Sequence, residues 1–271
     1  MTDIEFERIF VFLKRRYGID MSRKKEIVSG RLENYVTSHG YKTYMDYILA
    51  VESDNTGKLE KTLVNILTTN HTFFMRESEH FDYMKQVVLP YLKQKESINR
   101  DLRVWCAASS TGEEPYTLAM VMLDFFGLEQ SKWDTKVLAT DISTNVLKQA
   151  MHGEYETDAI EALPEHWKRR FFHQILGTER CKVTNELKNE VIFRKFNLMD
   201  EFPFKRRLHV VFLRNVMIYF DAETKERLLK KVYNCLEPGG YLFIGRTETI
   251  DRSVVPFQLI RPSIFRKPEG V

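Results

Sequence analysis

The stretch that most constrains this chain runs from Asp101 to Phe126, DLRVWCAASSTGEEPYTLAMVMLDFF. Its apolar start at Leu102, Val104 and Trp105 reads as a buried strand. The small residues from Ala107 to Gly112 then read as a tight turn, and Glu113, Glu114 and Pro115 as the first turn of a helix. Proline suits that position because its missing N–H would have no intrahelical partner. A strand, a small-residue turn and a helix in this order form the ligand-holding mouth of a parallel α/β sheet. Small side chains there let backbone N–H groups and a helix N-terminus come close to what is bound.

The acid pair narrows the choice of ligand. A phosphate at this helix mouth would face two carboxylates, so Glu113 and Glu114 favour a cationic or hydroxyl-rich ligand over a dinucleotide pyrophosphate. S-adenosylmethionine (SAM), with its sulfonium, ammonium and ribose hydroxyls, fits that description. The same two acids also read as a plain complement to the helix dipole, worth about 0.3–1 kcal/mol each.

The rest of the chain after residue 99 alternates strand and helix around this unit. Thr135 to Asp141 is a second strand ending in an acid, placed to accept hydrogen bonds from ribose hydroxyls, and Ser143 caps the helix that follows. Val210 to Leu213 is a fully buried strand, and Arg214, Asn215 and Tyr219 stand just beyond its carboxyl end. Asp221 caps a helix from Glu223 to Leu236, stopped by Pro238, Gly239 and Gly240. Tyr241 to Gly245 is a further strand, and 257–260 with 263–266 close the sheet as an antiparallel pair. Residues 153–192 break the rhythm, with a helix-like LPEHWKRRFFHQ and short strand-like runs around Cys181 and Val191. They read as a small β-rich insertion.

Residues 1–70 carry helical periodicity and almost no strand signal. Ile4, Ile9, Phe10, Leu13 and Tyr17 make one stripe, Ile27, Leu32, Tyr35 and Val36 another, and Leu59, Leu63, Ile66 and Leu67 a later one. Thr43 with Asp46 is a capping pair. The expectation is a small helical bundle with turns at Gly18, Gly40 and Asn55 to Gly57. Residues 71–98 form a linker and a connecting amphipathic helix striped by Phe81, Met84, Val88 and Leu92. In the linker Phe73 and Phe74 are expected to be buried, fixing the polar Asn70, Thr72 and Arg76 beside them.

Charge is balanced overall, at a formal +3 for 271 residues, so a basic surface has to come from clustering. The cluster is in the first helices: Lys14, Arg15, Arg16, Arg23, Lys24, Lys25 and Arg31. It reads as a solvated face or as a docking surface for an acidic partner. The face has little of the aromatic interleaving used to bind single-stranded RNA, which favours an acidic protein. Cys106, Cys181 and Cys235 lie far apart without CxxC spacing, as expected of reduced thiols and not of a zinc site. His166 and His173 read as part of a polar helix face. The start, MTDIEFERIF, is polar and acidic where a signal peptide would be basic and then apolar, and the apolar runs are shorter than a membrane span. The expectation is a soluble protein of the cytoplasm, with nothing that demands more than a monomer.

Several separated motifs coincide in one family. Asn70-x-Thr72 with Phe73, Phe74 and Arg76, then STGEEPYTLA from Ser110, ATD ending at Asp141, FNL at Phe196 to Leu198, and LRNVMIYFD from Leu213 to Asp221 resemble the chemotaxis receptor methyltransferases of the CheR type. The resemblance spans nearly the whole chain. It implies a Rossmann-like class I SAM methyltransferase sheet with helices on both faces, an all-helical N-terminal domain and a small inserted subdomain. It also implies the activity, esterification of glutamate side chains on the cytoplasmic helices of methyl-accepting chemotaxis receptors. SAM is the methyl donor and S-adenosyl-L-homocysteine the product. By resemblance Asn70, Thr72, Arg76, Glu113, Asp141, Asn197, Leu198, Arg214 and Asn215 line the cofactor pocket. Tyr219, with Arg76, lies near the transferred methyl. The basic N-terminal helices would face the acidic receptor, with the enzyme recruited to membrane receptor arrays. The chain departs from the family pattern at FLRN for FCRN, at Met75 and at GRTE from Gly245 to Glu248.

The chemistry agrees with that reading. A glutamate carboxylate, with an unperturbed pKa of about 4.3, is ionised at neutral pH and needs no general base. The sequence accordingly offers no nucleophile–base–acid triad and no metal cluster. Two rivals use the same sheet: a methyltransferase acting on RNA or a small metabolite, and a sensor or adaptor that binds SAM without catalysis. A nicotinamide oxidoreductase is disfavoured because GxGxxG is missing from the first turn.

Overall fold

The computed structural model describes residues 1–270. Four helices come first, α1 (Asp3–Tyr17), α2 (Lys25–Ser38), α3 (Tyr44–Ser53) and α4 (Lys58–Leu67). Thr2 caps α1 and Thr43 caps α3, each through a reciprocal box with the acid three residues on, Glu5 and Asp46. Gly18 ends α1 in the left-handed region, and a Cβ there would lie 2.6 Å from the Met199 sulfur. Ile9, Leu13, Leu32, Leu63 and Leu67 are buried as their spacing predicts. Ile4 and Ile27 are not, at 73% and 48% exposed. Five residues separate Ile4 from Ile9, which turns Ile4 well away from the inward stripe, and Val28 takes the place expected of Ile27.

A continuous helical segment follows, made of α5 (Glu79–Tyr83), one π turn (Met84–Val88) and α6 (Leu89–Lys95). Phe81, Met84, Val88 and Leu92 are all buried along it. The α/β part then runs β1 (Val104–Ala107), α7 (Glu113–Phe126), β2 (Val137–Asp141), α8 (Thr144–His152), β3 (Glu154–Glu156), α9 (Glu165–Phe171), β4 (Phe172–Gln174), β5 (Arg180–Val183), α10 (Asn185–Lys188), β6 (Val191–Lys195), β7 (Leu208–Leu213), α11 (Ala222–Cys235), β8 (Leu236–Ile244), β9 (Gln258–Arg261) and β10 (Ile264–Arg266).

The main sheet has the order β6-β2-β1-β7-β8-β10-β9. Strands β6, β2, β1, β7 and β8 are parallel, and β10 and β9 add an antiparallel edge. The chain moves outward from β1 to β2 and β6 on one side and to β7 and β8 on the other. The crevice at the carboxyl ends of β1 and β7 is therefore the switch point where ligands bind in such sheets. A second, small sheet, β3-β5-β4, is built within the insertion. Strand β6 pairs with β2 from Val191 to Lys195 and so belongs to the main sheet.

Two local expectations need correction. The helix-like run from Leu163 ends at Phe171, and Phe172–Gln174 is strand β4, because residues 172–174 pair with β5. Helix α11 ends at Cys235, one residue early, and Leu236 starts β8 in place of Tyr241 by pairing with Leu208. Strand pairing sets the boundary in both places.

The sheet separates two apolar cores. Val104, Cys106, Val210 and Phe212 face α7 and the segment 79–95, whereas Trp105, Ala107, Val211 and Leu213 face α11. The helical first part shares this second core, since Ile9, Leu13 and Leu67 belong to the same buried cluster as Trp105. Trp105 is fully buried, donates from Nε1 to Thr140 Oγ1 at 2.9 Å and stands edge-on to Phe202 and Phe204. That shared core brings the helices up to the switch point. Among the described residues no helix is long and apolar enough to cross a membrane.

Candidate active site

A cavity of about 330 Å³ opens at the carboxyl ends of the parallel strands. Each strand delivers residues to it as it ends: β1 gives Ala108 to Ser110, β2 gives Asp141, β6 gives Phe196 to Leu198, and β7 gives Arg214 and Asn215. The opposite wall comes from the helical part, through Tyr17, Ile19, Met21 and the segment from Leu67 to Thr72. Helix and sheet meet there by backbone pairing. Ile19 bridges Phe220, and Asp20 N–H donates to Tyr219 O at 2.7 Å.

The turn after β1 is strained. Ala108 has φ 60° and Ser110 φ 50°, while Gly112, at φ 102°, packs so tightly that a Cβ would lie 2.9 Å from both Ala150 and the Tyr155 hydroxyl. Asp141 ties this turn to the next: its carboxylate accepts the N–H of Ser110 at 2.9 Å and of Ser143 at 2.8 Å. Burial raises its pKa against those bonds.

Arg214 is the electrostatic centre. Its side chain has no exposed surface, and its guanidinium meets Glu114 at 2.7 Å and Glu77 at 3.2 Å. It also donates to the carbonyl of Arg76 and lies 5.4 Å over the Phe81 ring. Burial pushes the Glu77 carboxyl up, yet Arg214 and the hydrogen bonds from Arg246 and Asn215 leave it lowered overall. Two carboxylates share one guanidinium here, and of the two Glu114 lines the cavity.

The structure brings Asn70, Thr72, Arg76, Asp141, Asn197, Leu198, Arg214, Asn215 and Tyr219 around this one cavity. Glu113 stands apart. It is buried off the cavity wall with its carboxylate on the Thr111 hydroxyl at 2.7 Å, and Glu114 lines the cavity in its place. One helical position is a turn of about 100°, which sends adjacent acids to different sides. Phe73 is a second correction. Phe74 is buried but Phe73 is 48% exposed, set between His71 and Arg76. Arg76 donates to the His71 carbonyl at 2.7 Å.

The basic cluster is largely spent inside the molecule. Lys14 pairs with Asp221 at 2.8 Å, Arg16 with Glu60 at 3.1 Å and Lys25 with Asp3 at 2.6 Å. Arg31 donates to the carbonyls of Leu67 and Thr68 and to the Thr69 hydroxyl. Arg15 and Arg23 are exposed, and the Lys24 ammonium lies 5.2 Å over the Tyr219 ring.

Sequence reasoning missed Glu77 and Glu248. Glu248 is buried, and its carboxylate accepts the N–H groups of Asn215, Met217 and Gly245, fixing the loop between Arg214 and Tyr219. The available signal was position: Glu248 follows the end of β8, at the same edge as the other site residues.

Known proteins match the chain over nearly its whole length. Two family models match: "CheR methyltransferase, all-alpha domain" over residues 4–68 and "CheR methyltransferase, SAM binding domain" over residues 70–265. A "Chemotaxis protein methyltransferase" of Borreliella burgdorferi is 38% identical over 272 residues, covering 98% of this chain and 95% of its own. "Chemotaxis protein methyltransferase 1" of Pseudomonas aeruginosa is 36% identical, covering 97% of this chain and 96% of its own. The Escherichia coli "Chemotaxis protein methyltransferase" is 32% identical over 98% of this chain and 91% of its own.

Proposed function

The chain belongs to the CheR methyltransferase family, and on that premise we propose that it transfers the methyl group of S-adenosylmethionine to glutamate carboxylates of chemoreceptors in the cytoplasm. The observation that carries this reading is the cavity at the switch point, walled on one side by strand ends and on the other by the helical domain. Its volume of about 330 Å³ lies at the lower end of small-molecule sites, roughly 300–1,000 Å³. The donor set suits a cationic nucleoside: the carboxylates of Glu114 and Asp141, a buried Ser109 hydroxyl without a partner, and the apolar Ile142 and Leu198.

The bound cofactor supplies an electrophilic methyl on a sulfonium, which leaves as the thioether of S-adenosyl-L-homocysteine when a carboxylate oxygen bonds to that methyl. The acceptor is already an anion at neutral pH, so alignment and exclusion of water are what the protein has to provide. Asp141 accepts from hydroxyls at the end of β2, where Ser110 and Ser143 hold it. Glu114 and Arg214 set the charge of the wall, and Asn70, Thr72, Asn197, Leu198 and Asn215 surround the ligand. Arg76, partly exposed at the rim, orients the incoming carboxylate by a charge-assisted bond. Tyr219 positions the reacting groups, its backbone anchored on Asp20. Arg15, Arg23 and Lys24 are the bases left to receive the acidic receptor helices, and none of this chemistry needs a second copy of the chain.

The test is transfer of labelled methyl from S-adenosylmethionine to receptor-containing membranes, followed by mild alkali. Label on the receptor that leaves as methanol is the expected result for a carboxyl ester. Alkali-stable label overturns the glutamate assignment, and binding of S-adenosylmethionine without transfer to any receptor overturns catalysis.

A further inference from the structure

Asn215 is held more firmly than any free choice of rotamer would require. Its backbone is left-handed, φ 56°, a conformation asparagine tolerates better than most residues but still at a cost. Three contacts from distant parts of the chain keep it there. Its N–H donates to Glu248 Oε2 at 2.9 Å, and its side-chain Nδ2 donates to Glu77 Oε1 at 3.4 Å. Gly245 lies against the same amide, where a Cβ would stand 2.4 Å from Nδ2. Glu248 is 8% exposed and also takes Met217 N–H at 2.7 Å and Gly245 N–H at 2.6 Å.

These contacts decide which end of the amide faces the ligand. An ionised carboxylate only accepts, so the Asn215 atom turned to Glu77 is nitrogen. Oδ1 is then the polar atom of this side chain without a protein partner among the described residues, on a residue that lines the cavity. An acceptor oxygen presented there suits a positively charged donor. Resting on the reading that this cavity takes a sulfonium cofactor, we propose that Glu248 is a positioning residue: together with Glu77 it keeps Asn215 Oδ1 turned to the cavity as the acceptor for a cationic group of S-adenosylmethionine. Burying a carboxylate solely to brace a loop would be an expensive choice. The return is that backbone direction and amide orientation are fixed before the ligand arrives.

The test is a double-variant cycle read by calorimetric titration with S-adenosylmethionine. Glu248→Gln keeps the shape but brings an NH₂ group against N–H donors. It is expected to weaken binding about tenfold, with KM for the receptor unchanged. Asn215→Gly, which the left-handed backbone accepts, is expected to cost a similar factor. In the Asn215→Gly background Glu248→Gln should add less than about twofold, because it acts through the missing amide. A full further tenfold loss, or a folded Glu248→Gln protein with unchanged affinity, overturns the proposal. Should Glu248→Gln fail to fold, Gly245→Ala pushes on Nδ2 without altering any charge. It is expected to weaken binding to the same extent, and unchanged affinity in that folded variant also overturns the proposal. Absence of methyl on receptor carboxylates would count against the transfer reading alone, since this readout is cofactor binding.

Discussion

Arg214 and the pair Arg15 and Arg23 occupy opposite ends of one scale. Arg214 has no exposed side-chain surface and is shared between Glu77 and Glu114, whereas Arg15 and Arg23 are exposed on the outer helical part with no acid paired to them among the described residues. Between them stand Lys14, Arg16, Lys25 and Arg31, whose charges bind the helical part to itself and to the sheet domain. The difference teaches that burial turns a charge into architecture, because an unpaired charge inside costs several kcal/mol, while exposure leaves it free for a partner.

The comparison breaks if Arg214 can be removed cheaply. Arg214→Met leaves two largely buried carboxylates without their cation and should destabilise by about 3–5 kcal/mol in urea titration, with loss of cofactor binding. Near-normal stability would mean that this ion-pair cluster does not hold the site together.

The same cluster predicts acid lability. Burial, helped by the Arg214 charge, depresses the His80 pKa from 6.5 to about 4, and its Nδ1 lies 3.6 Å from Glu77. The folded state holds His80 neutral where the unfolded chain would protonate it. Stability from this group is therefore full above pH 6.5 and falls as pH drops towards 4. Thermal melts of His80→Gln should show a flatter profile across that window, and an identical profile would remove His80 from the account.

Arg76 lies between the extremes, partly exposed and bonded to one carbonyl. Arg76→Ala should lower receptor turnover about 10- to 100-fold, the worth of a charged hydrogen bond, with little change in melting temperature. Tyr219→Phe should slow turnover less and leave cofactor affinity unchanged. Full activity in both variants would sink their assigned roles.

Arg31→Ala loses the bonds to Leu67 and Thr68 and should cost about 1–2 kcal/mol by urea titration. The smallest stability effect belongs to Arg15→Ala with Arg23→Ala, within about 0.5 kcal/mol. Their signature should be kinetic, a receptor KM raised several-fold at low salt and converging with wild type at high salt. A melting temperature that drops while KM stays constant would reverse the comparison.

Much of the site was legible before the fold, for a topological reason. A parallel sheet puts its functional residues at strand ends, so Asp141 at the end of β2 and Arg214 and Asn215 after β7 announce themselves by position. Helix caps were legible too, since Thr43 and Asp46 interact across three residues. Neighbours were not: whether Glu113 or Glu114 faces the cavity, and whether Phe73 or Phe74 goes inside, turns on one residue's rotation. Position at a strand end hinted at Glu248, but its contacts and those of Glu77 did not show because their partners lie 33 and 138 residues away in sequence.

The amino-acid order by itself determined the alternation of elements, the tight small-residue turn and the family to which the chain belongs, because these depend on interactions within a few residues or on motifs read directly. Tertiary structure alone decided which charges are consumed. Lys14 finds Asp221, Arg16 finds Glu60, and Asn215 finds Glu77 and Glu248 only after the sheet and the helical part have closed on a shared core. A charge has no fixed role in a sequence. Its role is set by the dielectric around it and by the partner within about 4 Å, and both are properties of the folded chain.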